Sequence, residues 1–296
     1  MRKYICIATV CLAMASGMAH AEQRRPAPKV SETVTVARDI VYATYGKRKV
    51  MLDMYLPKTE NPPKGKIPCI VTIHGGGWRS GDKNRFARFA STFAENGFAA
   101  ACISYRKTPE VGVPQCIEDA KAAVRWVRAN ARKYNIDPDR LGAFGGSAGA
   151  HLVAMLGTSD KVDKLEGDGG NKGLSSKVHA VVALAVPADM TQYPRFSKNT
   201  EEAKLISPVT HVNKDSAKFL LIHATGDRVV RYKQSIALQD KLKKAGVPVE
   251  LITIKSNAHA FWNGTSPTAK KTVADTIAFF RKILKFPGAK PTEKSK

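Results

Sequence analysis

Short apolar runs alternate along this chain with longer stretches in which apolar residues recur every three or four positions. The runs at 67–73, 98–105, 141–145, 178–186, 219–223 and 249–254 are short and rich in Val, Ile, Leu and Ala. They predict buried β-strands. The stretches at 84–96, 113–134, 233–245 and 268–284 have the period of a helix; in the second, Ile117, Ala120, Val124, Val127 and Ala131 share one face. Gly97, Gly246 and Pro287 close three of these helices, as residues that cannot continue a helix cheaply. Before the first run, 33–41 and 49–56 alternate apolar and polar residues around Tyr45-Gly46, which predicts an antiparallel hairpin. Strand followed by amphipathic helix, repeated, means an α/β fold: a mostly parallel central sheet with helices on both faces. No internal repeat interrupts this order.

Two stretches do not fit the alternation. Residues 159–177 are rich in Gly, Asp and Lys and are expected to form a surface loop. Residues 187–216 lie between two strands. They predict either a small cap over a pocket, able to select substrates, or a plain connector with one helical turn at 201–205.

The ends have a different composition. Arg2-Lys3, an apolar stretch from Ile5 to Met14 and Ala19-His20-Ala21 form the pattern of a secretory signal peptide over residues 1–21, cleaved after Ala21. The expected localisation is secreted or periplasmic. Val10 before Cys11 is too large for the usual lipidation signal. Residues 22–32 are expected to be a flexible leader, 33–286 a single domain and 287–296 a disordered basic tail. No later segment is long and apolar enough for a membrane helix.

Beyond the leader three cysteines remain, Cys69, Cys102 and Cys116. An odd count is not a disulfide framework. One Cys69–Cys102 bridge between neighbouring strands, or three buried thiols, are both open. The formal net charge is +23, which permits affinity for polyanions such as acidic polysaccharides or the cell envelope. The basic residues are scattered and lack an aromatic-interleaved motif, so no nucleic-acid partner is expected. No metal-ligand spacing is present, and no cofactor is expected.

Candidate chemistry centres on Gly145-Gly146-Ser147-Ala148-Gly149, which joins a strand to a helix-forming stretch. Small residues flank a serine at a sharp turn, and the hydroxyl is thereby lifted clear. Three further segments follow strands: His74-Gly75-Gly76-Gly77-Trp78, Gly226-Asp227 and His259. Such positions lie at the carboxyl ends of the strands, where open α/β sheets bind ligands. A serine hydroxyl needs a base, and His259 in Asn257-Ala-His-Ala-Phe261 is the candidate. The base needs an acceptor to hold its tautomer, for which Asp227 is the candidate and Asp189 the weaker one. Among the remaining histidines, His74 opens its glycine loop and is expected to support it, His151 begins the helix after the serine, and His223 ends a strand beside Asp227. A tetrahedral oxyanion needs donors already in place, and the amides of Gly76, Gly77 and Ala148 are expected to supply them. Asn263-Gly264-Thr265 matches a glycosylation acceptor, a motif too common to carry weight.

Together, His74-Gly-Gly-Gly-Trp-Arg-Ser-Gly-Asp82, Ser104-Tyr-Arg106, Val124-Arg-Trp-Val-Arg128, Ile136-Asp-Pro-Asp-Arg-Leu141 and Gly145-Gly-Ser-Ala-Gly-Ala-His-Leu152 resemble the esterase/lipase branch of the α/β-hydrolases. The likeness extends to secreted bacterial carbohydrate-esterase-like proteins, which include acetyl-xylan and feruloyl esterases. It covers about residues 35–285. The resemblance implies an α/β-hydrolase fold, Ser147 as nucleophile, Asp227 and His259 as its triad partners, and Gly76, Gly77 and Ala148 as the oxyanion hole. The chain departs from the family pattern at Ala224-Thr225, Arg231 and Val186-Pro187, which touches pocket walls and hence specificity. The expected function is a serine esterase acting through an acyl-enzyme on short acyl or aromatic esters, esterified carbohydrates among them. An amidase or peptidase with the same triad, and a non-catalytic carbohydrate- or envelope-binding protein on a hydrolase scaffold, are the alternatives.

Overall fold

The computed structural model describes residues 30–58, 65–160, 162–196 and 199–286. The expected signal peptide, most of the leader and the basic tail lie outside these residues. The described chain builds one eight-stranded sheet. Its strands, in chain order, are β1 (Val34–Tyr45), β2 (Arg48–Pro57), β3 (Ile67–Ile73), β4 (Ala99–Ile103), β5 (Ile136–Gly146), β6 (Ala180–Leu184), β7 (Lys218–Ala224) and β8 (Val249–Ile254). They lie side by side as β1-β2-β4-β3-β5-β6-β7-β8. The first two form the antiparallel hairpin, β2 pairs antiparallel with β4, and every later pairing is parallel. This is the mostly parallel sheet expected from the alternation and the α/β-hydrolase fold that the resemblance implies.

The helices are α1 (Ala87–Glu95), α2 (Val113–Ala129), α3 (Ala148–Thr158), α4 (Thr200–Leu205), α5 (Pro208–His211), α6 (Lys233–Lys244) and α7 (Pro267–Ile283). Among the described residues no helix is long and apolar enough to cross a membrane. The sheet separates two cores. Val71, Ala101, Phe219 and Leu221 face one way and pack with Val124 of α2, Leu152 of α3 and Leu242 of α6. Ile70, Ala100, Leu220 and Ile222 face the other and pack with Phe93 of α1 and Phe280 of α7. Alternate residues of one strand reach opposite faces. This explains why the strands read as continuous apolar runs.

The structure refines the helical and loop expectations and decides the state of the cysteines. The 113–134 pattern ends as a helix at Ala129, and the chain leaves through turns to Asn135 at φ 53°. The 159–177 stretch is a surface loop, exposed at Asp163, Lys164 and 170–175, but anchored from beneath. Leu165 and Ser159 are fully buried, and Lys121 Nζ of α2 donates to Ser159 O at 2.5 Å and Glu166 Oε1 at 2.7 Å. Buried Lys and Arg on α2 need these acceptors, so the loop folds onto them. Cys69 and Cys102 do lie on neighbouring strands, but in register Cys69 faces Ala99 and Cys102 faces Thr72. All three cysteines are free and buried, and burial pushes each thiol up to about 12. The 187–216 segment has more helical structure than the one turn expected at 201–205. It carries two 3-10 turns besides α4 and α5.

The chain runs from β3 outward to β4 and then returns past β3 to β5. That reversal opens a crevice between the carboxyl ends of β3 and β5.

Candidate functional site

Ser147 sits at this crevice. β5 ends at Gly146 and α3 starts at Ala148, leaving Ser147 at the corner with φ 56° and ψ −124°. A side-chain-bearing residue with positive φ is strained and persists only where its surroundings hold it. Here Ser147 N–H donates to Leu184 O at 2.8 Å, and Ser147 O accepts from His151 N at 3.0 Å. The turn is tight enough that a Cβ at Gly145 would collide with Gly149 O, and one at Gly149 with Ile73 O. The two glycines of the motif are therefore required by backbone contact across the corner. Below it, Trp262 fills the space beside Gly146.

The loops after β7 and β8 deliver the partners. Ser147 Oγ lies 2.9 Å from His259 Nε2, and His259 Nδ1 lies 2.7 Å from Asp227 Oδ2. A carboxylate only accepts, so Nδ1 carries the proton and Nε2 is left to accept from the serine hydroxyl. Asp227 Oδ1 accepts from the amides of Val229 (2.8 Å) and Val230 (3.0 Å). Burial works to raise the Asp227 carboxyl. The hydrogen bond from His259 and those from Val230 and Val229 outweigh it and hold the group below the usual carboxylate range. The Asp227 side chain is fully covered, whereas His259 keeps 20% of its side-chain exposure. An edge-on Trp262 ring 5.7 Å from the imidazole closes one side.

Asp189 takes no part in this. Its Oδ1 accepts from Thr191 N and Oγ1, and it starts the first turn of the 187–216 segment. Nor does His74 reach the relay; its Nδ1 donates to Gly75 O at 2.7 Å and its ring stacks on Tyr105. His223 lies beneath the acid. Its Nε2–H donates to Val230 O at 2.9 Å and stands 3.4 Å from Asp227 Oδ2. Its Nδ1 accepts from Ser235 Oγ at 2.7 Å. Burial lowers its pKa, so it is a neutral prop for the Asp227 turn. The spacing of His223 and Asp227 is visible in the sequence; the role of Ser235 is not.

Gly76 and Gly77 follow β3 with φ of 128° and 61°. Gly76 O accepts the amides of Arg79 and Ser80, both at 3.1 Å, and a Cβ on Gly76 would collide with Ser80 O. Gly75 is packed against the Ser147 corner, and Ala148 opens α3 with its amide unused by the helix. The glycine loop and the start of α3 thus both border the Ser147 corner. The loop is held by a bridge that the sequence does not reveal. Trp78 Nε1–H donates to His151 Nδ1 at 3.1 Å, and His151 Nε2–H donates to Ile206 O at 2.6 Å. Burial drives the His151 pKa down to about 4, so the ring stays neutral and bridges β3's loop, α3 and the 187–216 segment. Among the described residues, no group of three or more His, Cys, Asp or Glu could hold a metal ion.

An activated hydroxyl beside preplaced donors suits acyl transfer. Comparison with known proteins points the same way. The chain is 27% identical to esterase LipQ of Mycobacterium tuberculosis over 83% of its length and 62% of LipQ. It is 29% identical to the probable carboxylic ester hydrolase LipM of the same organism, over 75% of the chain and 56% of LipM. It therefore spans about three fifths of these relatives. Among solved structures, the Est2 esterase of Thermogutta terrifontis superposes with a TM-score of 0.79 at 27% identity, covering 91% of this chain and 99% of that one. A truncated carbohydrate esterase from gut microbiota superposes with a TM-score of 0.75 at 29% identity, covering 86% and 99%. The BD-FAE family model matches residues 52–242, from β2 through Ser147 and Asp227 into α6, and the chain belongs to that family.

Proposed function

We propose that the protein is a secreted serine carboxylic-ester hydrolase that works through an acyl-enzyme. The observation that carries this reading is the unbroken line from Ser147 Oγ through His259 to Asp227. Ser147 Oγ attacks the ester carbonyl carbon as its proton passes to His259 Nε2. The carbonyl oxygen becomes an oxyanion facing the amides of Gly76, Gly77 and Ala148. Collapse expels the alcohol, which takes the proton from His259, and leaves an ester on Ser147. Water then attacks that ester, gives its proton to His259, and the acid departs as the proton returns to Ser147. Asp227 holds the imidazole in the required tautomer and stabilises its charged form.

The Thermogutta esterase has been captured phosphorylated by paraoxon, which supports a nucleophilic residue in this fold. The gut carbohydrate esterase supports esters of carbohydrates as the substrate class, for which we propose short acyl or aromatic acids.

Hydrolysis of 4-nitrophenyl acetate and butyrate by the parent and by Ser147→Ala tests the proposal. The parent turns both over, and the variant loses about 10⁴-fold or more in kcat/KM. Paraoxon adds one diethylphosphoryl group, located on Ser147 by peptide mass. Equal rates for parent and variant would sink the reading. A 4-nitroanilide cleaved faster than the esters would turn it toward an amidase. Secretion is checked by the amino terminus of the exported protein, expected at Glu22.

A further inference from the structure

Beyond Gly77 the chain turns through Trp78 to Arg79. Consecutive Cα atoms are about 3.8 Å apart, which places Arg79 Cα within roughly 7.6 Å of Gly77 Cα. Arg79 borders a recess of about 430 Å³, shared with Thr108, Gly112, Arg195, Asn199 and Glu202. Three segments build it: the loop after β3, the entry to α2 and the 187–216 segment.

The exposed Arg195 guanidinium lies against two mutually perpendicular aromatic rings at this recess. Its Cζ lies 4.7 Å from the centre of the Trp78 ring and 4.5 Å from that of Phe196. Trp78 is itself fixed by His151 at one end and by the Thr108 amide on its carbonyl at 2.8 Å at the other. Stacking holds the plane of a guanidinium while leaving its N–H groups free. Among the described residues, neither the Arg79 nor the Arg195 guanidinium has a carboxylate partner or a side-chain hydrogen bond. The deeper cations differ: Arg106 is paired with Asp119, Lys83 with Asp53 and Arg125 with Glu166. Burial, and then the neighbouring charge of Arg79, lower the pKa of Arg195. Two exposed cations without a carboxylate partner among the described residues therefore line one recess. Glu202 is the single acid of this lining, and it accepts from Asn199 Nδ2 at 3.0 Å instead. The 17-residue helix α2 begins at the recess wall with Gly112 as its cap and adds the positive end of its dipole.

We propose that this recess binds a carboxylate carried by the substrate, so that the enzyme acts on esters of acidic molecules. The inference rests on the esterase reading above and names its substrate class. The carboxylate belongs either to the acyl group, as in a half-ester of a dicarboxylic acid, or to the alcohol, as in an acylated uronic acid. In both cases a planar anion meets a planar fork. The formal charge of +23 adds a long-range pull on such substrates.

Two substrate pairs distinguish the sources. Mono-4-nitrophenyl succinate against 4-nitrophenyl butyrate places the charge on the acyl side. Acetylated galacturonate oligomers against acetylated xylose oligomers place it on the alcohol side. The expected result is a preference for the acidic member in one pair of about tenfold or more in kcat/KM, carried by KM. Arg195→Gln and Arg79→Gln each cut that ratio by about fivefold, Arg195→Lys retains part of it, and 0.5 M NaCl weakens it. Thermal melting of each variant accompanies the kinetics. No preference in either pair overturns the inference, as does a preference that survives both substitutions in folded protein. Hydrolysis that persists in Ser147→Ala overturns the esterase reading instead, so the two failures are distinguishable.

Discussion

Two buried carboxylates, Asp119 and Asp227, are equipped differently. Asp119 is fully enclosed on α2 and accepts from Arg106 three ways: the backbone amide at 2.7 Å, Nε at 3.0 Å and one terminal guanidinium nitrogen at 2.7 Å. The Arg106 guanidinium also lies 3.3 Å from the centre of the Tyr45 ring. That cation is permanent, and the pair is complete at every stage. Asp227 instead accepts from two amides and from an imidazole that is neutral at rest. Its charge gains full compensation only when His259 takes a proton. A carboxylate satisfied by arginine stabilises the fold and has nothing left to contribute to a reaction. One satisfied by histidine keeps part of its electrostatic interaction in reserve for the moment the serine attacks.

This contrast is open to attack, and the largest effect is expected at Asp227. Asp227→Asn keeps the acceptor for Val229 and Val230 but turns an amide N–H toward His259, which selects the wrong tautomer. Esterase kcat falls about 10⁴-fold while the melting temperature stays near the parent's. Asp119→Asn is expected to do the reverse. Removing one partner of a buried pair costs about 3–5 kcal/mol of unfolding free energy, read by urea titration, and the molecules that remain folded keep their kcat. If the two variants behave alike, the distinction fails.

Acid sharpens the comparison next. His151 is fully buried and titrates at about 4 rather than the ordinary 6.5. Between those values the unfolded chain binds more protons than the folded one. Stability is therefore complete above pH 6.5 and is lost as pH falls toward 4. The loss is about 3 kcal/mol for this group, and it deepens as Asp227, held below its usual range, is protonated in its turn. Denaturation at pH 7 and pH 4.5 measures it; a flat profile would contradict the buried neutral ring. The smallest effect is expected from Ser235→Ala. Losing the hydroxyl that sets the His223 tautomer costs about 1 kcal/mol of stability, and kcat drops by no more than about threefold because Asp227 keeps its amide donors.

How far these features can be read from sequence depends on how local their causes are. The strands and helices are legible because apolar period is a property of neighbouring residues. Ser147 is legible because a corner that tight admits only small flanking residues. Asp227 over Asp189 is a choice between two loop acids, favoured by the Gly226-Asp227 turn and the chain order; only the contact of the β7 and β8 loops shows which meets His259. The bridge from Trp78 through His151 to Ile206 joins positions far apart in the chain, and no periodicity encodes it. The anchoring of the 159–177 loop is hidden for a similar reason. Its composition rightly reads as a surface loop, but does not reveal that Lys121 and Arg125 beneath it take acceptors from Ser159, Glu166, Gly170 and Ser176.

The His151 bridge has a consequence for anyone redesigning this enzyme. The 187–216 segment and the loop carrying Gly76 and Gly77 hang from the same imidazole. Variants at Ile206 or its neighbours are expected to disturb the glycine loop as well, because His151 links the Ile206 carbonyl to the Trp78 indole. Libraries in that segment should hold Trp78, His151 and the backbone at 206 constant, and vary only its exposed positions.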